Sequence, residues 1–330
     1  MPLMRKIGSA LPGMKRFVKC YFCFIDALPI LSDRNIHLFV LYFILTIFKV
    51  GVNVKTKVMR SILLLFLLCS IVEYFEFLLI RTDQTFLAEN VLCKLFILLL
   101  IFLVLRRRQE SLQSIGFRKD GFFKGALIGL SLGISSFAIS YTVEYIVLRS
   151  MGQTPSLKFF ISNFALQNQN ITGVSLTAIG ICIVGNVLNV LAEEGLFRGL
   201  FLHLGKTAFA QRSNNLLQAL LFGVWHIVMV VGWVIDGSMS VPAAIAMAVG
   251  YVLLAGILGY EWGLCVQLTG TLWAGIFEHF FNNFLTNSLH MVTASGIDEL
   301  QILRIVLSNI LSLTFVLLLT KRDKAKVAAQ

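Results

Sequence analysis

The sequence predicts an all-α, polytopic transmembrane bundle of about eight core helices, and three observations support this fold class. Hydrophobic residues make up 57% of the 330 residues and charged residues only 14%. The mean hydropathy is +0.83, and the apolar residues fall in runs of roughly 20, the length of a helix that crosses a bilayer. Lipid offers the backbone no hydrogen-bond partners and the runs are too long for barrel strands, so each is predicted to be helical.

Charged or turn-rich breaks separate the apolar runs. The predicted spans are residues 36–52, 60–80, 88–105, 122–147, 174–200, 214–234, 241–260, 264–286 and 298–320. From residue 60 onward, the Lys and Arg residues of the short loops fall on one side, and the basic C-terminus identifies that side as cytoplasmic. The net charge of +11 is therefore interpreted as membrane topology, and no nucleic-acid partner is predicted.

The run at residues 36–52 breaks this pattern. A span there would place Arg5 and Lys6 on the side opposite to Lys55 and Lys57. Either this segment lies at the membrane surface or is re-entrant, or translation begins near Met59. We therefore predict that residues 1–58 are a peripheral N-terminal extension with an extra hydrophobic segment.

A glycine repeat marks the beginning of the span at residues 122–147. Gly121, Gly125, Gly129 and Gly133 recur every four residues and so lie on one helix face. A smooth glycine ridge lets another membrane helix approach closely. The repeat thus predicts tight helix packing and has no direct bearing on chemistry.

The most informative polar residues are two adjacent glutamates and an arginine at the end of the span 174–200. Glu193, Glu194 and Arg198 form the pattern EExxxR. An ionisable group at the centre of a bilayer costs on the order of 3 kcal/mol on insertion scales. Three such groups together indicate that they are paired, hydrated or functional, and the i, i+4 spacing suits an ion pair between Glu194 and Arg198.

Two later spans carry further polar groups in apolar surroundings. His226 follows Phe222 by four residues, and Asn283 follows His279 by four residues. Residues four apart share a helix face. Polar faces within a membrane cost the least free energy when they are buried against one another, away from lipid. These groups are therefore predicted to form one internal site with the acidic pair.

Such a site has the groups that amide hydrolysis requires. Carboxylates and imidazoles can deprotonate a water and protonate a leaving amine, while an amide can hold an oxyanion. No serine or cysteine nucleophile accompanies them, so hydrolysis by activated water is favoured over covalent catalysis. The helical HExxH pattern is absent, yet Glu193, His226 and His279 could still hold a divalent metal such as zinc. Metal-activated and glutamate-activated water both remain open.

Other classes of protein use similar residues. Glu194 and Arg198 could be a purely structural ion pair. Intramembrane acids and histidines also serve in proton-coupled transporters, although we find neither inverted repeats nor paired broken helices. A non-catalytic scaffold or immunity factor that binds a partner is a further alternative.

The ordered motifs resemble those of a known family. EExxxR at Glu193–Arg198, FxxxH at Phe222–His226 and HxxxN at His279–Asn283 resemble the CPBP family of intramembrane proteases. These proteases are relatives of CAAX prenyl endopeptidases and of bacteriocin-processing and immunity proteins. The resemblance covers about residues 115–320 and implies an eight-helix bundle with its site below the cytoplasmic face.

The resemblance also implies roles for the motif residues. Glu193 would be the general base that polarises a water together with His226, while His279 and Asn283 stabilise the oxyanion. Glu194 and Arg198 would support Glu193. The expected substrate is a peptide or protein in or at the membrane, lipidated or not, and the expected location is a bacterial cell membrane with the C-terminus cytoplasmic.

The predicted domain organisation follows from these assignments. After the extension at residues 1–58, residues 59–115 form two N-terminal transmembrane helices, residues 116–320 the protease-like core, and residues 321–330 a basic cytoplasmic tail. Several polar and aromatic residues outside the motifs are interpreted as span ends, loops, interfaces or packing, namely Glu73, Glu76, Glu144, His290 and Trp262.

Overall fold

The computed structural model describes residues 53–82, 90–162 and 176–328. The predicted run at residues 36–52 and nearly all of the predicted N-terminal extension lie outside these ranges. The site described below lies wholly within the compact unit that begins at Ser61.

The described residues form a bundle of helices with one short pair of strands. The helices are α1 (Val54–Phe75), α2 (Val91–Arg107), α3 (Phe122–Ser150), α4 (Leu176–Glu193), α5 (Gln211–Trp225), α6 (Ile227–Ile235), α7 (Val241–Thr269), α8 (Trp273–Ser288) and α9 (Gln301–Ala328). The strands are β1 (Ser156–Phe159) and β2 (Leu289–Val292). Two π-helical segments, Glu76–Ile80 and Glu194–Phe201, extend α1 and α4, and the second of these is followed by the helical turn Leu202–Gly205.

The eight predicted spans from residue 60 onward each correspond to a helical segment of the described chain. Six of these segments are long and apolar enough to cross a membrane. The other two, α2 with 17 residues and α8 with 16 residues, are shorter but lie at the predicted spans 88–105 and 264–286. The prediction of an all-α polytopic bundle is confirmed, and the chain is an integral membrane protein.

One predicted boundary is wrong. The apolar pattern predicts that a span ends at residue 260, before Glu261, but α7 continues to Thr269. The Glu261 carboxylate is fully buried and accepts a hydrogen bond from the Ser312 hydroxyl at 2.5 Å, so this acid does not end the span. The break comes instead at Gly270, whose φ of +70° is a left-handed conformation that glycine adopts without strain.

The sequence pattern does not predict the two strands, because the polar stretch at residues 153–169, which contains Pro155, indicates an extracytoplasmic loop. β1 pairs antiparallel with β2, with Ser156 opposite Val292 and Phe159 opposite Leu289. The Tyr141 hydroxyl of α3 donates to the Leu289 carbonyl at 2.6 Å. These contacts join the end of α3 to the end of α8.

A buried polar cluster lies beside the strands. Arg304 Nη1 is 2.5 Å from Glu144 Oε2, and Arg304 Nη2 is 2.5 Å from Asp298 Oδ2. His290 Nδ1 is 3.2 Å from the same Asp298 oxygen, and its ring stacks on Phe160. Glu144 and His290, interpreted from the sequence as span-end and loop residues, are therefore buried members of an ion-pair cluster.

The glycine ridge packs as predicted. A Cβ on Gly129 would lie 2.3 Å from the Ala274 carbonyl oxygen, and one on Gly125 would lie 2.6 Å from Trp273 Cβ. Farther along α3, a Cβ on Gly133 would meet the Phe281 ring at 2.5 Å. Only glycine allows α3 to lie this close to α8, which carries two of the predicted site residues.

Candidate active site

The carboxylate of Glu193 lies at the end of α4 and uses its two oxygens differently. Oε1 accepts a hydrogen bond from Lys94 Nζ at 2.8 Å and another from the indole N–H of Trp225 at 3.2 Å. Oε2 lies 3.7 Å from His279 Nε2 and accepts no hydrogen bond from the described residues. One oxygen is thus held in place while the other faces an imidazole.

Lys94 is a contact of Glu193 that lies outside the three motifs and was not predicted from the sequence. It lies in the first turn of α2, and its side chain is buried. Its ammonium group is 3.8 Å from Glu73 Oε1 as well as 2.8 Å from Glu193 Oε1. Glu73, which was interpreted as a span-end residue, is therefore a buried acid next to the candidate site.

Glu76 was also interpreted as a span-end residue and is buried instead. Its carboxylate accepts backbone hydrogen bonds from Leu92 at 3.0 Å and Cys93 at 2.5 Å. It also accepts one from the Thr82 hydroxyl at 2.5 Å. Glu76 thus satisfies free N–H groups in the first turn of α2, where a negative charge is favourable.

Glu194 and Arg198 form a buried ion pair, as their spacing predicts. Arg198 Nη1 lies 3.1 Å from Glu194 Oε1, and both side chains are completely buried. The guanidinium group lies against the ring of Phe222, 3.9 Å from its centroid, and against that of Trp262 at 4.8 Å. These contacts are cation–π interactions between the planar guanidinium group and the faces of the two rings.

The segment that carries this pair is π-helical, whereas a regular helix was expected. Residues Glu194–Phe201 form the π-helix, and all eight are buried. Such segments are rare and are often found at functional sites. Here the change of helix type occurs between the two adjacent glutamates, so Glu193 ends α4 and Glu194 begins the π-helix.

His279 lies between the two glutamates. Its Nδ1 is 3.0 Å from Glu194 Oε1, and its Nε2 is 3.7 Å from Glu193 Oε2. The imidazole is stacked on the indole of Trp262, with centroids 3.9 Å apart and planes 16° apart. His279 therefore connects α8 to both acids of the EExxxR motif.

Trp262 and Glu278 form a buried layer behind the imidazole. The indole N–H of Trp262 donates to Glu278 Oε2, and Ser312 Oγ lies 3.4 Å from Glu278 Oε1. Because the indole is held at its edge as well as by its face, the orientation of the stacked imidazole is restricted. Trp262, interpreted from the sequence as an anchor or packing residue, is in direct contact with the site.

His226 occupies the break between α5 and α6. Its backbone N–H bonds to the Gly223 carbonyl, which tightens the last turn of α5. The ring Nδ1 lies 2.8 Å from the Phe222 carbonyl oxygen. Because a carbonyl only accepts, Nδ1 carries the proton of this bond, and in the neutral ring the lone pair is on Nε2. His226 directly follows Trp225, which contacts Glu193.

Asn283 lies one turn after His279 on α8 and is half-buried. Its side chain has no hydrogen-bond partner among the described residues. The neighbouring Asn282 instead donates to Asn309 at 2.9 Å. The structure thus places five of the predicted residues in or directly beside one cluster, and Asn283 one helical turn from the His279 of that cluster.

The predicted metal ligands do not form a metal site in this arrangement. In the described ranges, no three His, Cys, Asp or Glu side chains are grouped so that they could hold a metal ion. Glu193 Oε1 already accepts from an ammonium and an indole. His279 Nδ1 is directed to Glu194. Glu193, His226 and His279 therefore fit a hydrogen-bonded cluster better than a metal centre.

The order of these motifs and their convergence agree with a comparison to protein families. Residues 175–285 match the family described as type II CAAX prenyl endopeptidase Rce1-like. This segment is an Rce1-like domain. It contains all six predicted site residues, and it confirms the resemblance that the three motifs indicate. The match supports a protease of the intramembrane CAAX-endopeptidase type.

The Rce1-like domain covers about a third of the chain. Lys94 and Glu73 lie outside it, on helices that precede the matched segment. No curated protein and no solved structure is significantly similar to the chain. The domain boundaries predicted from the sequence remain predictions.

Proposed function

We propose that this protein is an intramembrane endopeptidase that hydrolyses a peptide bond with a water activated by Glu193. The observation that carries the proposal is the asymmetry of the Glu193 carboxylate. Lys94 and Trp225 hold Oε1, while Oε2 faces His279 Nε2 at 3.7 Å. A water molecule can contact two polar atoms at this separation, so Oε2 is placed to accept its proton.

The proposed reaction proceeds by general base and then general acid catalysis. Glu193 Oε2 takes a proton from the water, and the resulting hydroxide attacks the scissile carbonyl carbon. The unprotonated Nε2 of His226 accepts the other hydrogen of the water and orients it. Collapse of the tetrahedral intermediate breaks the C–N bond, and protonated Glu193 returns its proton to the leaving amine.

The proposed oxyanion site consists of His279 and Asn283. A His279 ring protonated on both nitrogens donates to Glu194 from Nδ1 and has Nε2–H available for the developing oxyanion. Asn283, one turn away and half-buried, can supply an amide N–H. Donors placed before the reaction in a site of low dielectric stabilise such charge strongly.

The proposed substrate is a peptide or protein that enters from the bilayer, with or without a lipid group. The charged residues are buried within membrane helices, so a water-soluble substrate would have to cross apolar surface to reach them. The matched family is described as type II CAAX prenyl endopeptidase. A farnesylated CAAX peptide is therefore the first substrate to test.

Detergent-purified protein incubated with a fluorogenic farnesylated CAAX peptide tests the proposal. The same peptide without the lipid and a membrane-inserted helical peptide complete the panel. We expect the wild type to cleave at least one of them, and Glu193→Gln and His279→Ala to lose cleavage while inserting normally into the membrane. Glu299→Gln is the matched control, because within the described ranges its carboxylate accepts hydrogen bonds only from Thr293 and Ser295.

The outcomes separate the classes of function left open by the sequence. Cleavage that is unchanged in Glu193→Gln contradicts the proposed role of this residue. A wild type that binds the peptides without cleaving any of them supports a scaffold or immunity factor instead.

A further inference from the structure

Lys94, in the first turn of α2, has no role in the motifs of the Rce1-like domain. Lys94 is 4% exposed, and its neighbours along the chain are apolar. Placing an ammonium group in the apolar part of a membrane helix is costly unless the charge is paired. The residues that contact Lys94 therefore decide whether its charge is paired.

Those partners are two acids from two different helices. Lys94 Nζ lies 2.8 Å from Glu193 Oε1 and 3.8 Å from Glu73 Oε1. The closer contact is a charge-assisted hydrogen bond, and the farther one is an ion pair. The ammonium also lies 5.2 Å from the ring centroid of Trp225, whose N–H donates to the same Glu193 oxygen.

Each glutamate of the EExxxR motif thus has its own cation. Arg198 pairs with Glu194 from within the same segment, and Lys94 pairs with Glu193 from α2. The two glutamates differ in what surrounds their second oxygen. Arg198 and His279 both contact Oε1 of Glu194, and its Oε2 is buried without a hydrogen-bond partner among the described residues. Lys94 contacts Oε1 of Glu193, and the Oε2 of Glu193 faces His279 Nε2.

We propose that Lys94 is a positioning residue of the hydrolysis. Its ammonium group holds Oε1 of Glu193, which keeps the carboxylate charged and presents Oε2 to the attacking water. This inference rests on the proposed function. It adds a residue outside the matched segment and identifies the oxygen of Glu193 that acts as the base.

The first test measures the pairing without any assay of activity. We expect Lys94→Met and Glu193→Gln each to lower the Tm of the detergent-purified protein by several degrees. The first leaves the buried Glu193 carboxylate without its cation, and the second leaves the buried ammonium with the more distant Glu73. The double variant should lose less than the sum of the two shifts. Additive shifts would show that the two residues do not interact and would overturn the inference.

The second test measures kcat and KM on the farnesylated CAAX peptide. We expect Lys94→Met to lower kcat by roughly 10- to 100-fold with little change in KM, because a misplaced base affects the chemical step more than binding. Lys94→Arg, which keeps the charge, should restore most of kcat. Lys158→Met, the same substitution at an exposed residue of β1, is the control.

The outcomes distinguish the inference from the proposed function. If the Tm shifts are coupled but kcat is unchanged in Lys94→Met, Lys94 is a structural ion-pair partner only, and the inference is overturned. The proposed function would still stand in that case if cleavage depends on Glu193. An increase in kcat in Lys94→Met would mean that the ammonium weakens Glu193 as a base, and this result would also overturn the inference. If the wild type cleaves none of the peptides, the proposed function fails and the inference fails with it.

Discussion

The imidazole of His279 is stacked on the indole of Trp262, with centroids 3.9 Å apart and an angle of 16° between the planes. The same indole N–H donates to Glu278. The stack joins α8 to α7 directly behind the candidate catalytic cluster. A tryptophan whose sequence context indicates only packing is therefore in contact with a candidate catalytic imidazole.

Replacing Trp262 should impair the orientation of His279. We expect Trp262→Phe, which keeps a stacking ring but loses the N–H, to lower kcat roughly 3- to 10-fold, and Trp262→Leu to lower it by about 100-fold. Cleavage of the farnesylated CAAX peptide measures both effects. Trp273→Phe is the control, because that ring packs on Phe117 and Phe122. Equal activities for wild type and Trp262→Leu would show that the stack has no catalytic consequence.

The glycine ridge makes a prediction about stability. Gly129→Ala should destabilise the protein by about 1–3 kcal/mol, because the added methyl group would meet the Ala274 carbonyl and force α3 and α8 apart. Thermal unfolding in detergent measures the change.

Gly250 provides the matched control for that substitution. It lies within α7, and a Cβ there would meet no atom within 4 Å. Gly250→Ala should leave the stability unchanged or raise it by about 0.5–1 kcal/mol, as expected for alanine in a helix. Equal destabilisation by the two substitutions would contradict the close packing of α3 on α8.

The Arg198–Glu194 pair should behave as a buried unit. We expect Arg198→Met to destabilise the protein by about 3 kcal/mol, because it leaves the Glu194 carboxylate buried without its cation. The double variant Arg198→Met/Glu194→Gln should recover much of that loss. Arg198→Lys should recover little, since an ammonium does not reproduce a planar group lying against Phe222 and Trp262. Chemical denaturation of the wild type, these three variants and the single variant Glu194→Gln measures the coupling, and additive effects of the two single substitutions would rule it out.

Asp298 predicts a dependence of stability on pH. Burial tends to raise the pKa of this carboxyl, but hydrogen bonds from His290 and Arg304 outweigh that effect and hold its pKa below the usual value of 3.8. A carboxyl whose pKa is lowered in the folded state stabilises the protein above its unfolded pKa of about 4, and this contribution is lost as the pH falls through the folded value. The Tm should therefore decline below about pH 4.

The variant Asp298→Asn should lose this component of the acid dependence and have a lower Tm at neutral pH. Asp236→Asn, which removes the partly exposed pair with Arg81, should change the Tm little. Thermal unfolding between about pH 3 and 7 tests both expectations. An unchanged acid dependence in Asp298→Asn would assign the effect to other groups.

Much of the bundle could be predicted because its signals are local. The length of each apolar run sets the length of a span, and the loops between runs are short. The end of α7 is an exception. A span was predicted to end at residue 260, directly before Glu261, yet the Glu261 carboxylate is buried against Ser312 of a different helix. The cost of a charge in lipid depends on its partner, and a partner distant in sequence is invisible to a local pattern.

The candidate site was only partly predictable for the same reason. The motif residues could be found because they share helix faces at a spacing of four. Lys94 carries a usable signal, since it is a lone cation within an apolar run, but its partner Glu193 lies 99 residues away. Trp262 carries no such signal, because tryptophan is common in membrane proteins for other reasons.

The amino-acid sequence alone was sufficient to predict the membrane bundle, the order of its spans and the three motifs that lie in the Rce1-like domain. These properties depend on hydropathy and on spacings of a few residues. The tertiary structure determined which oxygen of Glu193 is held by Lys94, that His279 lies between both glutamates, and where α7 ends. Such features arise from charges and rings that meet across different helices, where the energy depends on distance and burial rather than on position along the chain.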